Sequence, residues 1–169
     1  MPNDLPYQLV VSQSQRVSPN MQRVTLQGKD LADFPTGSEG CYVKLLFPIA
    51  DDDKAIMRTY TIRRFNPHDL SLEIDFVLHG DTGKDSGPAS TWAANTKPGD
   101  PMQMFGPGKV KTASLGADWY LFAGDMTALP AISCQLERLP ANAKGYAVLE
   151  IHSEQDQQPL IKPSGINVL

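Results

Sequence analysis

The sequence predicts a closed, Greek-key type all-β barrel over residues 1–110, followed over residues 111–169 by the start of a doubly wound parallel α/β domain. Three observations carry this reading. β-rich runs separated by Pro and Gly clusters fill the chain up to Pro107; beyond it the pattern changes to short, fully apolar strands around a helical stretch; and no internal repeat or low-complexity segment interrupts either part.

The barrel runs are Tyr7–Val17, Met21–Gln27, Cys41–Phe47, Met57–Arg63, Leu70–Leu78 and Pro101–Phe105. Each is rich in residues that suit a pleated surface and is bounded by turn formers. Six strands of this length favour closure, which leaves no unpaired edge. Between Leu70 and Phe76 apolar and polar residues alternate, and from Phe76 to Leu78 the run is continuously apolar, as in a strand that enters deeper cover.

After Pro107, Trp119–Ala123 reads as a short, fully apolar strand and Gly124–Thr127 as a turn. Ala128–Leu139 carries helical spacing, with Pro130 near its start, where a helix tolerates one. Tyr146–Ile151 is a second apolar strand. Strand, helix and strand in about 33 residues match one βαβ unit, and strands apolar on both sides indicate a parallel sheet. No further strand is evident before Leu169, so the second part reads as a single unit of a larger sheet, with the boundary near Gly106–Lys109.

Composition bounds the function. A chain of 169 residues with 41% hydrophobic and 20% charged residues folds as one core, or as one domain and part of another. A net charge of −4 argues against a nucleic-acid footprint, which shows as a basic face. Apolar stretches are too short to span a bilayer, and the start Met1-Pro2-Asn3-Asp4 lacks the layout of a signal peptide. The expectation is a cytoplasmic protein with no membrane or nucleic-acid partner. Cys41 and Cys134 lie far apart and without Cys-x-x-Cys spacing, so they predict buried thiols rather than a zinc or iron–sulfur site.

The densest chemical signal is Arg58-Thr59-Tyr60-Thr61-Ile62-Arg63. On a strand, Arg58, Tyr60 and Ile62 share one face while Thr61 and Arg63 share the other, unless a bulge intervenes. Aromatic, guanidinium and hydroxyl groups together suit a planar ring carrying a pyrophosphate. By composition alone an edge strand with exposed arginines explains the run better. Gly87-Pro88-Ala89-Ser90 reads as a helix start whose unpaired amides could receive a phosphate, or as a plain cap. Gly124-Asp125-Met126-Thr127 follows a parallel strand and opens a helix, where open α/β sheets bind ligands, and Asp125 or Thr127 alone would serve as a cap. No Gly-x-Gly-x-x-Gly is present.

Arg58-x-Tyr60-Thr61-x-Arg63 resembles the flavin signature of the siderophore-interacting proteins, a branch of the ferredoxin–NADP⁺ reductase-like superfamily. The branch is marked by two further segments. Asp75-Phe76-Val77-Leu78-His79-Gly80 and Gly87-Pro88-Ala89-Ser90-x-Trp92-Ala93 are similar to the family patterns, as are Gly99-Asp100 and Gly106-Pro107-Gly108. Gly124–Ile132 resembles the family's Gly-Asp-Glu-Thr-Ala-Leu-Pro-Ala-Ile, with Met126 in place of the glutamate.

The resemblance implies an FAD-binding barrel, an incomplete NAD(P)H-binding-like domain, and reduction of ferric siderophores with release of iron(II). NAD(P)H or a reduced ferredoxin would be the donor. It implies FAD contacts from Arg58, Tyr60, Thr61, Ile62, Arg63, Asp75, Val77, His79, Gly87, Pro88, Ala89, Ser90 and Trp92, and from Asp125, Thr127 and Ala128 on the nicotinamide side. Tyr60 is expected to stack, Thr61 to reach the reactive ring nitrogen, and His79 to bind rather than transfer protons. A general flavin reductase and a non-catalytic flavin-binding remnant are the alternatives. Ferric siderophores are commonly anionic, and Lys44, Lys54, Arg64 and Lys109 are available to steer them.

Overall fold

The computed structural model describes residues 5–49, 52–78, 87–109 and 112–169. Six strands, β1 (Tyr7–Ser18), β2 (Met21–Gln27), β3 (Tyr42–Ile49), β4 (Asp52–Asn66), β5 (Ser71–Val77) and β6 (Pro101–Gly108), close into a barrel in the order β1-β2-β5-β4-β3-β6. Every neighbouring pair is antiparallel. Period-2 alternation puts Leu9, Val11, Val24, Leu26, Val43, Leu45, Phe47, Leu72, Ile74, Phe76, Met102 and Met104 inside, all buried in one apolar cluster. Helix α1 (Pro88–Asn95) covers this core with Ala89 and Ala93, and its Trp92 ring lies 5.6 Å from those of both Phe47 and Phe76.

The second unit is a parallel sheet in the order β7 (Tyr120–Asp125), β8 (Lys144–Glu150), β9 (Gly165–Val168). Helix α2 (Leu129–Arg138) joins β7 to β8 and buries Ile132 and Leu136 against Tyr120, Ala147 and Ile166. Strand β9 corrects the expectation of a single βαβ unit with no further strand before Leu169. It escapes a sequence reading because it has four residues, buries one of them (Ile166), and is reached from β8 without an intervening α-helix. The sheet face away from α2 leaves Leu121, Tyr146 and Val148 exposed.

Barrel and sheet meet along an apolar seam of Met21 and Val77 from the barrel with Met126 and Leu129 from the second unit. Met126, where the sequence departs from the family pattern, is thus a seam residue that exploits an unbranched side chain's ability to fill irregular space. Polar latches flank the seam. Arg63 on β4 pairs with Glu137 on α2, and the Arg138 guanidinium donates to the carbonyls of Gly37 and Glu39. Fully buried Asp156, in a short 3-10 turn after β8, accepts from Ser18 Oγ at 2.7 Å, from Asn20 N at 2.8 Å, from Asn20 Nδ2 at 2.9 Å and from Ser153 Oγ at 3.1 Å. Burial pushes its carboxyl up, but the bonds from Asn20, Ser18 and Ser153 outweigh burial and bring it down to about 2.

Candidate functional site

On β4 the alternation sends Tyr60 and Ile62 toward the barrel core and Thr59, Thr61 and Arg63 outward, with an irregularity in the pairing to β5 between Ile62 and Arg64. On β5 the outward positions are Glu73, Asp75 and Val77, between the inward Leu72, Ile74 and Phe76. Outer faces of β4 and β5, the first turn of α1 and the start of α2 therefore border one space. That space is a cavity of about 350 Å³ lined by Arg58, Thr59, Tyr60, Thr61, Asp75, Val77, Gly87, Pro88, Ala89, Ser90, Thr127 and Pro130, with Tyr42 of β3.

Each wall has a distinct chemistry. Arg58, exposed at the barrel rim, supplies a guanidinium whose Nη1 donates to its neighbour's carbonyl, Met57 O. Gly87 is the N-cap of α1 and offers no side-chain oxygen to the first-turn amides, Pro88 follows at the helix start, and a Cβ on Gly87 would meet nothing within 4 Å. A helix start of this kind favours an anion and lets it approach the backbone. Asp75 is buried and fixed by Arg23 on β2, whose Nε and Nη2 donate to its two oxygens at 2.6 and 2.8 Å. That bidentate bond raises the Arg23 guanidinium further above its ordinary value, against the pull of burial. The Tyr60 ring lies 4.4 Å from Phe76, and burial pushes its hydroxyl up to about 12.

A second space of about 160 Å³ adjoins the first through Val77 and Thr127 and is lined also by Asp125, Met126, Glu150, Ile151 and His152. It lies at the carboxyl ends of β7 and β8, where Asp125 and Glu150 are register partners. Asp125 Oδ1 accepts from Thr127 N at 2.8 Å, from Thr127 Oγ1, and from Ala128 N at 3.2 Å. These bonds, the Thr127 hydroxyl first, hold the Asp125 carboxyl below the usual carboxylate range.

Of the residues singled out in the sequence, Arg58, Tyr60, Thr61, Asp75, Val77, Gly87, Pro88, Ala89, Ser90 and Thr127 converge on the larger cavity. Others lie elsewhere. Ile62 is fully buried in the barrel core; Arg63 turns to α2, its Nη2 2.6 Å from Glu137 Oε1; Trp92 packs beneath α1; and Asp125 lines the smaller space. Ala128 flanks α2 and lines neither space. His79 and the Lys54 side chain lie outside the described residues. Lys44 and Lys109 are exposed, and Arg64 Nη2 lies 3.7 Å from Glu137 Oε1. Tyr42, Thr59 and Pro130 also line the cavity, and Arg23 stands behind Asp75. Thr59 and Pro130 stand inside motifs already marked, whereas Tyr42 and Arg23 reach the site through strand pairing alone. Among the described residues no cluster of His, Cys, Asp or Glu could hold a metal ion, and no helix is long and apolar enough to cross a membrane.

Comparison with known proteins agrees with this arrangement. The model of the siderophore-interacting FAD-binding domain matches residues 10–53 and 48–111, and that of the siderophore-interacting protein family matches residues 117–169. The chain is 37% identical over 164 residues to the ferric vibriobactin reductase ViuB of Vibrio cholerae, covering 87% of this chain and 59% of that protein. The crystal structure of the siderophore-interacting protein SipS from Aeromonas hydrophila superposes with a TM-score of 0.84 at 39% identity, covering 97% of this chain and 66% of that one. A siderophore utilization protein from T. fusca gives 0.84 at 33% identity, covering 99% and 69%. The chain thus spans about 60% of the curated relative and about two thirds of the structural ones. Ferredoxin–NADP⁺ reductase from Plasmodium falciparum, 14% identical with a TM-score of 0.68 and coverage of 97% and 71%, shares the fold. With both parts of the chain matched, and the barrel, the parallel sheet and the cleft between them in place, the chain belongs to the siderophore-interacting protein family, its barrel matching that family's FAD-binding domain.

Proposed function

We propose that this chain binds FAD in the larger cavity and serves as a ferric-siderophore reductase, releasing iron as iron(II). The observation that carries the reading is the convergence of Arg58, Thr61, Asp75 and the α1 start on one cavity beside the second unit. Its size falls in the range of small-molecule sites, about 300–1,000 Å³.

The donor set fits the dinucleotide. Arg58 and the first turn of α1 offer charge and amides for a pyrophosphate, Thr61 a hydroxyl for a ring nitrogen, and Tyr60 an aromatic edge. Bound FAD would supply the redox chemistry, taking electrons from NAD(P)H or a reduced ferredoxin and passing them to ferric iron. The protein's own work is to bind, orient and shield. Arg23 holds Asp75 in place, and the Val77–Met126 seam keeps the sheet against the flavin side of the barrel. The working division is an FAD-binding barrel over residues 1–110 and an incomplete NAD(P)H-binding-like unit over 111–169. Cys41 and Cys134 are both free thiols, in keeping with a reducing cytoplasmic setting.

The test is direct. Purified protein is expected to be yellow, with one FAD per chain. Reduced flavin should be reoxidised faster by a ferric siderophore than by simple ferric chelates. Equal rates would favour a general flavin reductase, and a flavin that neither NADH nor NADPH bleaches under anaerobic conditions would leave a protein donor or a non-catalytic binding module.

A further inference from the structure

A planar ring bound in this cavity needs a planar apolar surface to rest on. Tyr60 supplies little of it. Most of its ring is committed to the barrel interior, 4.4 Å from Phe76 and 6.4 Å from Phe47. Tyr42 is placed differently. It lines the same cavity, it is 38% exposed, and its register partners are Thr61 on β4 and Gly108 on β6.

The pairing with Gly108 explains how the Tyr42 ring is held. A Cβ on Gly108 would clash with Cζ and both Cε atoms of Tyr42, so the hydroxyl end of the aromatic ring lies over the glycine backbone. Glycine opposite an aromatic residue allows this close approach, and the ring in turn covers a strand position that has no side chain. A side chain fixed in this way has lost its rotamer freedom before any ligand arrives, which lowers the cost of binding. Gly108 itself does not line the cavity.

Building on the flavin reading above, we infer that Tyr42 is a ring platform of the FAD site and that Gly108 is its positioning residue. Neither belongs to the Arg-x-Tyr-Thr signature, and strand pairing alone brings them to it.

Three variants and flavin fluorescence test this. Tyrosine in contact with an excited flavin quenches it by electron transfer, and phenylalanine, which stacks as well, quenches poorly. Y42F is therefore expected to keep FAD affinity within about twofold and to brighten the bound flavin. Y42L should weaken FAD about three- to tenfold, the equivalent of one aromatic pair. G108A should weaken it in the same direction although residue 108 lines no part of the cavity, with a thermal melt confirming that the barrel is folded. Wild-type affinity and fluorescence in both Y42L and Y42F overturn the platform role. Unchanged affinity in folded G108A overturns the seating role. A wild-type chain that holds no FAD overturns the flavin reading itself, a result separate from either.

Discussion

Arg63 Nη2 lies 2.6 Å from Glu137 Oε1, joining the strand that carries the flavin signature to the helix of the second unit. Both side chains are largely covered, and Arg63 also approaches the Cys134 sulfur at 3.8 Å. Within the signature, then, Arg58 and Arg63 have different tasks. The first opens onto the cavity and the second fastens the two parts of the chain.

Such a fastening makes Arg63→Ala and Glu137→Ala behave alike. Each should destabilise the protein, with a coupling in the double-mutant cycle of about 0.5–3 kcal/mol, as for contacting charged residues. FAD affinity of the two single variants should fall by the same modest factor. A large loss in Arg63→Ala with none in Glu137→Ala would make Arg63 a phosphate ligand instead.

Removing the Asp156 carboxylate leaves Ser18 Oγ, Asn20 N and Asn20 Nδ2 without their acceptor at the junction. Asp156→Ala is expected to cost about 3 kcal/mol in urea unfolding, the scale for buried donors left unmet. Its pH dependence has a definite sign. The folded carboxyl titrates at about 2, below the ordinary value of 3.8, so its contribution is complete above about pH 4 and fades as pH falls toward 2. Asp156→Asn should therefore lose stability less steeply than wild type over that acid window.

Arg58→Ala combined with Thr61→Ala removes the rim guanidinium and the outward hydroxyl without touching the core. The expected outcome is loss of FAD on gel filtration with the far-UV circular dichroism unchanged. Full flavin occupancy in the double variant would refute the site assignment.

Trp92→Ala should act through the fold. Its half-buried ring rests on Phe47 and Phe76, so truncation should cost less than the about 3–5 kcal/mol of a fully buried aromatic. Because α1 carries one wall of the cavity, FAD affinity should fall together with thermal stability and recover at lower temperature, which a direct ligand would not show.

Much of this was legible in the sequence because it is local. Alternation in the run from Leu70 to Leu78 fixes which β5 residues face the core, and Pro88 and Gly87 mark the α1 start before any contact is known. The short strand β9 was not legible. Four residues with one buried position carry no periodic signal, and its pairing to β8 depends on the sheet already being there.

By itself the sequence determined the six barrel strands, the βαβ opening of the second unit, and the motifs that border the cavity, since each depends on side-chain period or turn chemistry within a few residues. Only tertiary structure decided which motif residues share a space. β4 has two faces, and register with β3 and β5 assigns Thr61 to the cavity and Ile62 to the core. Docking of α2 draws Arg63 away to Glu137, and pairing of β3 with β6 brings in Tyr42 over Gly108. Those placements arise from contacts between residues far apart in the chain, which no short window of sequence contains.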